Sequence, residues 1–180
     1  MSSFAMAADQ LIVELATQNS DTYLMDESAA FEGVPLLVMN ISNTFAADKT
    51  VTSISVNTGG ATTAFDANDF AAQVFQDVNN NGILDLGDTM LTAAAVNLTT
   101  GADIALALAT NLVIAAGDTQ QVIITADNVL GANADVLQLL WDDTVAGALV
   151  AAAVIDAQIV DTATAALNAE LLLTFLLLKL

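Results

Sequence analysis

Phe70-Ala-Ala-Gln-Val-Phe-Gln-Asp77-Val-Asn-Asn-Asn-Gly82-Ile-Leu-Asp85-Leu-Gly-Asp88 decides how this chain folds, because its two halves follow different rules. Phe70, Ala72 and Val74 recur at the period of a β-strand, so the segment up to Gln76 is expected to be extended. From Asp77 onward the pattern changes to closely spaced oxygens. Counting Asp77 as position 1, side-chain oxygens stand at 1 (Asp77), 3 (Asn79), 5 (Asn81), 9 (Asp85) and 12 (Asp88). Gly82 takes the sixth place and the Ile83 carbonyl the seventh. Calcium is a hard cation that takes about six to eight oxygens, and a loop that wraps it needs a glycine for the sharp turn at its centre. Asp77, Asn79, Asn81, Ile83, Asp85 and Asp88 are therefore the candidate metal ligands, with calcium as the expected ion. An Asn-Gly hairpin turn would account for Asn81-Gly82, but it requires neither Asp85 nor Asp88.

Alternation continues on both sides of this stretch. Leu11, Val13 and Leu15, then Leu37, Met39 and Ile41, then Thr52, Ile54 and Val56 each mark one face of an extended segment. Downstream, Ile104, Leu106 and Leu108 do the same, followed by Leu112 and Ile114, by Val122, Ile124 and Ala126, and by Leu137, Leu139 and Trp141. Ile155, Ala157 and Ile159 close the series, and the alanine-rich Ala148 to Ala153, flanked by Val and Ile, is read as strand or loop. Short period-two segments separated by Gly, Asn and Asp predict an all-β fold, a single antiparallel sandwich over residues 1–180 with the loop 77–88 inserted between two strands. A chain of 180 residues with one proline and no low-complexity linker suits one domain.

Composition excludes more than it proves. The formal charge is -19, from 21 acidic residues against Lys49 and Lys179, and there is no Arg, His or Cys. Nucleic acid is ruled out as a partner because phosphate neutralisation needs Lys or Arg. Anionic membrane surfaces are disfavoured for the same reason. Without imidazole or thiolate the common bases, nucleophiles and zinc sites are missing. A carboxylate pair could still hydrolyse sugars, yet aromatics are only 5% and no spacing points to such a pair. The chain is therefore expected not to be an enzyme. Although 56% of residues are hydrophobic, no run reaches the ~18 apolar residues of a membrane span.

A strand, a loop of the form D-x-N-x-N-G-x-x-D-x-G-D and a short apolar strand (here Phe75-Gln76-Asp77 through Asp88, then Thr89-Met90-Leu91) resemble prokaryotic cell-surface and secreted modules with an immunoglobulin-like sandwich. Such modules often continue with an apolar strand, an A-G-x-T turn and a strand ending in Ala-Asp. Leu112 to Thr119 and Val122 to Asp127 are similar, as is the upstream Thr50 to Val56. The resemblance covers roughly residues 10 to 142. It implies an immunoglobulin-like, calcium-stabilised domain at the cell surface. The loop also resembles that of a type I dockerin or an EF-hand, but both need helical flanks, and a dockerin needs two loops. Asp88 at position 12, where an EF-hand has Glu, is at home in extracellular loops.

An extracellular location fits in other ways. Single loops of this type work at extracellular calcium levels, and Ala5-Met-Ala7 resembles the end of a secretory signal, although its charged and apolar parts are missing. The C-terminal Ala169-Glu-Leu-Leu-Leu-Thr-Phe-Leu-Leu-Leu-Lys-Leu180 is apolar on both faces if extended. It is expected to be a buried central strand or helix, or to pack between subunits; residues 1–15 and 169–180 are the candidate inter-subunit strands. Strand donation is head-to-tail and non-closing, so it builds filaments. The expected function is an extracellular structural protein: a calcium-stabilised subunit of a pilus-like surface filament, sheath or surface layer, its partners copies of itself in a homopolymer. The alternative is a monomeric adhesin or ligand-binding module stabilised by calcium.

Overall fold

A computed structural model describes residues 9–16, 22–26, 31–58, 69–128, 136–141, 147–161 and 167–174. The expected all-β sandwich is what these residues form. In chain order the strands are β1 (Leu11–Leu15), β2 (Thr22–Asp26), β3 (Phe31–Asn43), β4 (Lys49–Asn57), β5 (Phe70–Asp77), β6 (Thr89–Met90) and β7 (Val96–Asn97). They continue with β8 (Asp103–Ile114), β9 (Thr119–Asn128), β10 (Val136–Trp141), β11 (Leu149–Ala151), β12 (Ile159–Asp161) and β13 (Leu167–Thr174). One sheet has seven strands in the order β12-β1-β3-β9-β5-β6, with β7 also paired to β5. The other has six, in the order β11-β4-β10-β13-β2, with β8 paired to β4.

Period-two alternation does the work the sequence implies. Leu37, Met39 and Ile41 of β3, Val122, Ile124 and Ala126 of β9, and Phe70, Ala72 and Val74 of β5 turn to one face. They join Val51, Ile54 and Val56 of β4, Leu106, Leu112 and Ile114 of β8, and Leu137, Leu139 and Trp141 of β10 in one buried cluster between the sheets. Each Val, Leu, Ile, Met or Phe side chain so removed from water contributes about 1.5–3 kcal/mol, which is why the alternation fixes which face looks inward.

Three features depart from a simple antiparallel series. Two pairings are parallel, β1 with β12 and β2 with β13. β8 is one long strand whose register against β4 shifts between Val51 and Ser53, where the sequence showed two separate segments. The strand expected through Ile155, Ala157 and Ile159 begins only at Ile159, because Asp156–Gln158 closes a 3-10 turn. The Ile155 amide donates to Gln158 Oε1 at 3.2 Å, and Ile155 itself is exposed.

Of the candidate inter-subunit segments, Leu11–Leu15 pairs with β3 on one side and β12 on the other, and β13 lies between β10 and β2. Residues 1–8 and 175–180 lie outside the described residues. Among those described, no helix is long and apolar enough to cross a membrane.

A single polar side chain ties the end of β3 to the β8–β9 connection. Asn43 is buried; its Nδ2 donates to the carbonyls of Ala47 (3.0 Å), Ile114 (2.9 Å) and Ala115 (3.1 Å). Its Oδ1 accepts from the Phe45 amide at 2.9 Å. Asn43→Ala strands the buried Ile114 carbonyl and Phe45 amide and is expected to cost about 1–3 kcal/mol in urea unfolding. A loss within error of zero would mean that water replaces the amide there.

Candidate metal centre

The loop 78–88 links β5 to β6 as a hairpin within the seven-stranded sheet, where Gln76 pairs with Thr89 and Phe75 with Met90. Asp77 is the last residue of β5 and is fully buried. The chain turns sharply after it: Asn80 and Gly82 both hold left-handed backbone, φ 55° and 71°, conformations that Asn and Gly tolerate. That turn brings the Gly82 amide back to donate to Asp77 Oδ2 at 2.6 Å. Gly82 thus supplies the left-handed residue at the centre of this turn.

The other oxygens fold inward on the loop's own donors. Asn79 Oδ1 accepts from the Asn81 amide (3.1 Å) and Asn81 Oδ1 from the Ile83 amide (2.7 Å). Asp85 Oδ2 accepts from Asn79 Nδ2 (2.8 Å) and Asn81 Nδ2 (3.3 Å), while its Oδ1 accepts from the Gly87 amide at 2.7 Å. A Cβ on Gly87 would stand 3.1 Å from that same Oδ1, so a larger residue there would push the Asp85 carboxylate by a few tenths of an ångström. Asp88 Oδ1 takes the Val78 amide (3.1 Å) and its Oδ2 the Asp85 amide (2.9 Å), which closes the ring from its first turn to its last.

These bonds hold the exposed Asp85 carboxyl below its ordinary range: the Gly87 amide most, then Asn79 against a small opposing desolvation, then Asn81. Its contribution to stability is thus present above its unfolded pKa and lost as pH falls through the lowered folded value. An ionised carboxylate is also what a hard cation requires.

Leu84 anchors the loop, a part the spacing of oxygens did not reveal. It packs with Phe75 against the buried Ala16, Val38 and Ile123, a small apolar cluster separate from the main core. Beneath it, Gly33 sits at a register shift of β3 with φ 68°, and a Cβ there would meet Leu84 Cδ2 at 3.3 Å. The Gly33 amide donates to Asp127 Oδ1 at 2.7 Å, which holds the bulge in place. The loop is thereby seated on the outer face of the seven-stranded sheet, while Val78, Ile83 and Leu86 remain exposed.

Among the described residues no three acidic side chains are gathered so as to hold a metal by themselves. Asp77, Asp85 and Asp88 would need the amide oxygens of Asn79 and Asn81 and the Ile83 carbonyl to complete a shell. One atom bears directly on whether the set suits a cation. Asp77 Oδ1 is buried and has no hydrogen-bond partner. A buried, half-satisfied carboxylate is costly unless a donor or a positive ion meets it. An all-oxygen donor set with one unpartnered carboxylate oxygen at its base fits a hard cation.

The chain matches no family model, no curated protein and no solved structure.

Proposed function

We propose that this chain is a non-enzymatic, calcium-clipped structural module of an extracellular surface, a subunit of a pilus-like filament, sheath or surface layer. The observation that carries the reading is the unpartnered, buried Asp77 Oδ1 at the root of a loop whose other oxygens are already turned inward. Asp77, Asn79, Asn81, Asp85, Asp88 and the Ile83 carbonyl would hold the ion. Calcium would supply the positive charge that Asp77 lacks, and would bind the folded loop in preference to the unfolded chain, so stability rises by mass action.

Two further properties support a structural role over a catalytic one. With a formal charge of -19 and neither His nor Cys, the chain has little to offer a reaction. The same charge makes identical subunits repel, and a divalent cation lowers that repulsion where it binds. The exposed Val78, Ile83 and Leu86 on the loop give a neighbouring subunit apolar surface next to the ion.

Negative-stain microscopy of the purified chain, in excess calcium and after chelation, tests the reading. Regular filaments or sheets that disappear on chelation are expected. Dispersed particles under both conditions would overturn the polymer and leave a calcium-stabilised adhesin or ligand-binding module as the better account.

A further inference from the structure

Three buried side-chain polar atoms among the described residues have no hydrogen-bond partner: Asp77 Oδ1, Gln121 Oε1 and Thr125 Oγ1. They are not scattered. The strand positions that alternate with Val122, Ile124 and Ala126 of the main core put Gln121 and Thr125 on the outer face of β9, the face that also carries Ile123 beneath Leu84. Asp77 shares that face on β5, because Phe70, Ala72 and Val74 point the other way. In the β5–β9 register Asp77 stands directly opposite Gln121, and side chains so placed start about 4.5–5.5 Å apart at Cβ.

Two unpartnered acceptors on directly opposed residues of a buried layer are a conspicuous combination. Asp77 is 0% exposed and Gln121 3%. The Gln121 side chain is held in place, since its Nε2 donates to Asn40 Oδ1 at 2.8 Å from β3 on the far side. That bond places the nitrogen on the β3 side and leaves the carbonyl oxygen without a partner. A neutral amide oxygen is an ordinary calcium ligand, and it adds an oxygen without adding charge.

We propose that Gln121 is a further ligand of the metal site, so that the ion joins the 77–88 loop to β9 across the sheet. The inference rests on the loop being a calcium site. Its consequence is that the ion clamps a neighbouring strand as well as the hairpin, with Asn40 positioning the Gln121 amide from β3. Binding then requires β5 and β9 to be in register, which couples the ion to the sheet.

The test compares the parent, Gln121→Met, Gln121→Glu and the Asp77→Ala/Asp88→Ala double variant by calcium titration calorimetry. Europium luminescence decay in H2O and D2O, with europium in the calcium site, counts the waters on the ion. Gln121→Met keeps the volume and removes the oxygen. It is expected to weaken calcium by about 10- to 100-fold or more, the loss typical of removing even an outer partner of a metal, and to add one bound water. Gln121→Glu is expected to bind at least as tightly as the parent, with no added water, because it keeps the oxygen and adds charge. It also serves if the Met variant fails to fold.

The competing arrangement has the Gln121 amide turned, with Nε2 donating to Asp77 and Oε1 accepting from Asn40. Under that arrangement Gln121→Met loses stability in chelator but neither calcium affinity nor a ligand. Parent-like affinity and hydration in Gln121→Met, or added water in Gln121→Glu, would overturn the Gln121 assignment while calcium binding by the loop stands. Absence of calcium binding in the parent, or its survival in the double variant, would overturn the loop reading and this inference with it.

Discussion

Replacing Asp77 and Asp88 by alanine together is expected to make the melting temperature indifferent to calcium, while the parent melts well above its chelated form. The two carboxylates open and close the loop: Asp77 receives the Gly82 amide at its base, and Asp88 receives the Val78 and Asp85 amides at its rim. An ion that binds only the folded loop, at a concentration about 100 times its Kd, adds about 2.7 kcal/mol. For a domain of this size that corresponds to a shift of about 5–10 °C. In chelator the double variant should melt near the chelated parent. Losing the Asp88 bonds destabilises the loop, whereas losing a buried, half-satisfied carboxylate at Asp77 relieves a cost, and the two oppose each other. Scanning calorimetry of both proteins with and without chelator checks this. A parent whose melting ignores chelator would reduce the stretch to a turn.

The second large effect belongs to the opposite sheet. Trp141→Ala is expected to cost about 3–5 kcal/mol, a fall of about 6–20 °C, because a fully buried indole leaves a cavity the surrounding strands cannot close. Trp141 Nε1 donates to the Ala148 carbonyl at 3.0 Å, just before β11 begins. Trp141→Phe keeps much of the volume and strands that carbonyl, so it should lose about 1–3 kcal/mol and separate the bond from the packing. Since Trp141 is the only tryptophan, unfolding must be followed by circular dichroism. β10 lies in the sheet that does not carry the loop, so calcium affinity should be unchanged in both variants. A loss below about 1 kcal/mol for the alanine variant would contradict the dry core drawn around this residue.

The contrast between these two regions shows what is local and what is not. Alternation at Leu37–Met39–Ile41, Phe70–Ala72–Val74 and Val122–Ile124–Ala126 is a property of a few neighbouring residues, and all three segments are strands with those side chains in the core. The turn at Gly82 was legible for the same reason, because the residues that make it follow one another along the backbone. Gly82 holds the left-handed turn that the spacing required.

What the amino-acid order determined by itself is therefore the strand-forming segments, their inward faces, the turn at Gly82 and the strongly acidic character of the chain. Only the tertiary structure decided which strands meet. It placed β12 parallel to β1, put β13 between β10 and β2, and pulled Asp156–Gln158 out of an apparently alternating segment into a 3-10 turn. It also set Leu84 over the bulge at Gly33 and brought Gln121 opposite Asp77. The physical reason is that a strand's period says which side of it is apolar but carries no record of its partner. Pairing is settled by the fit of distant segments, and both the anchoring of the loop and the second orphaned oxygen beside it depend on such pairings.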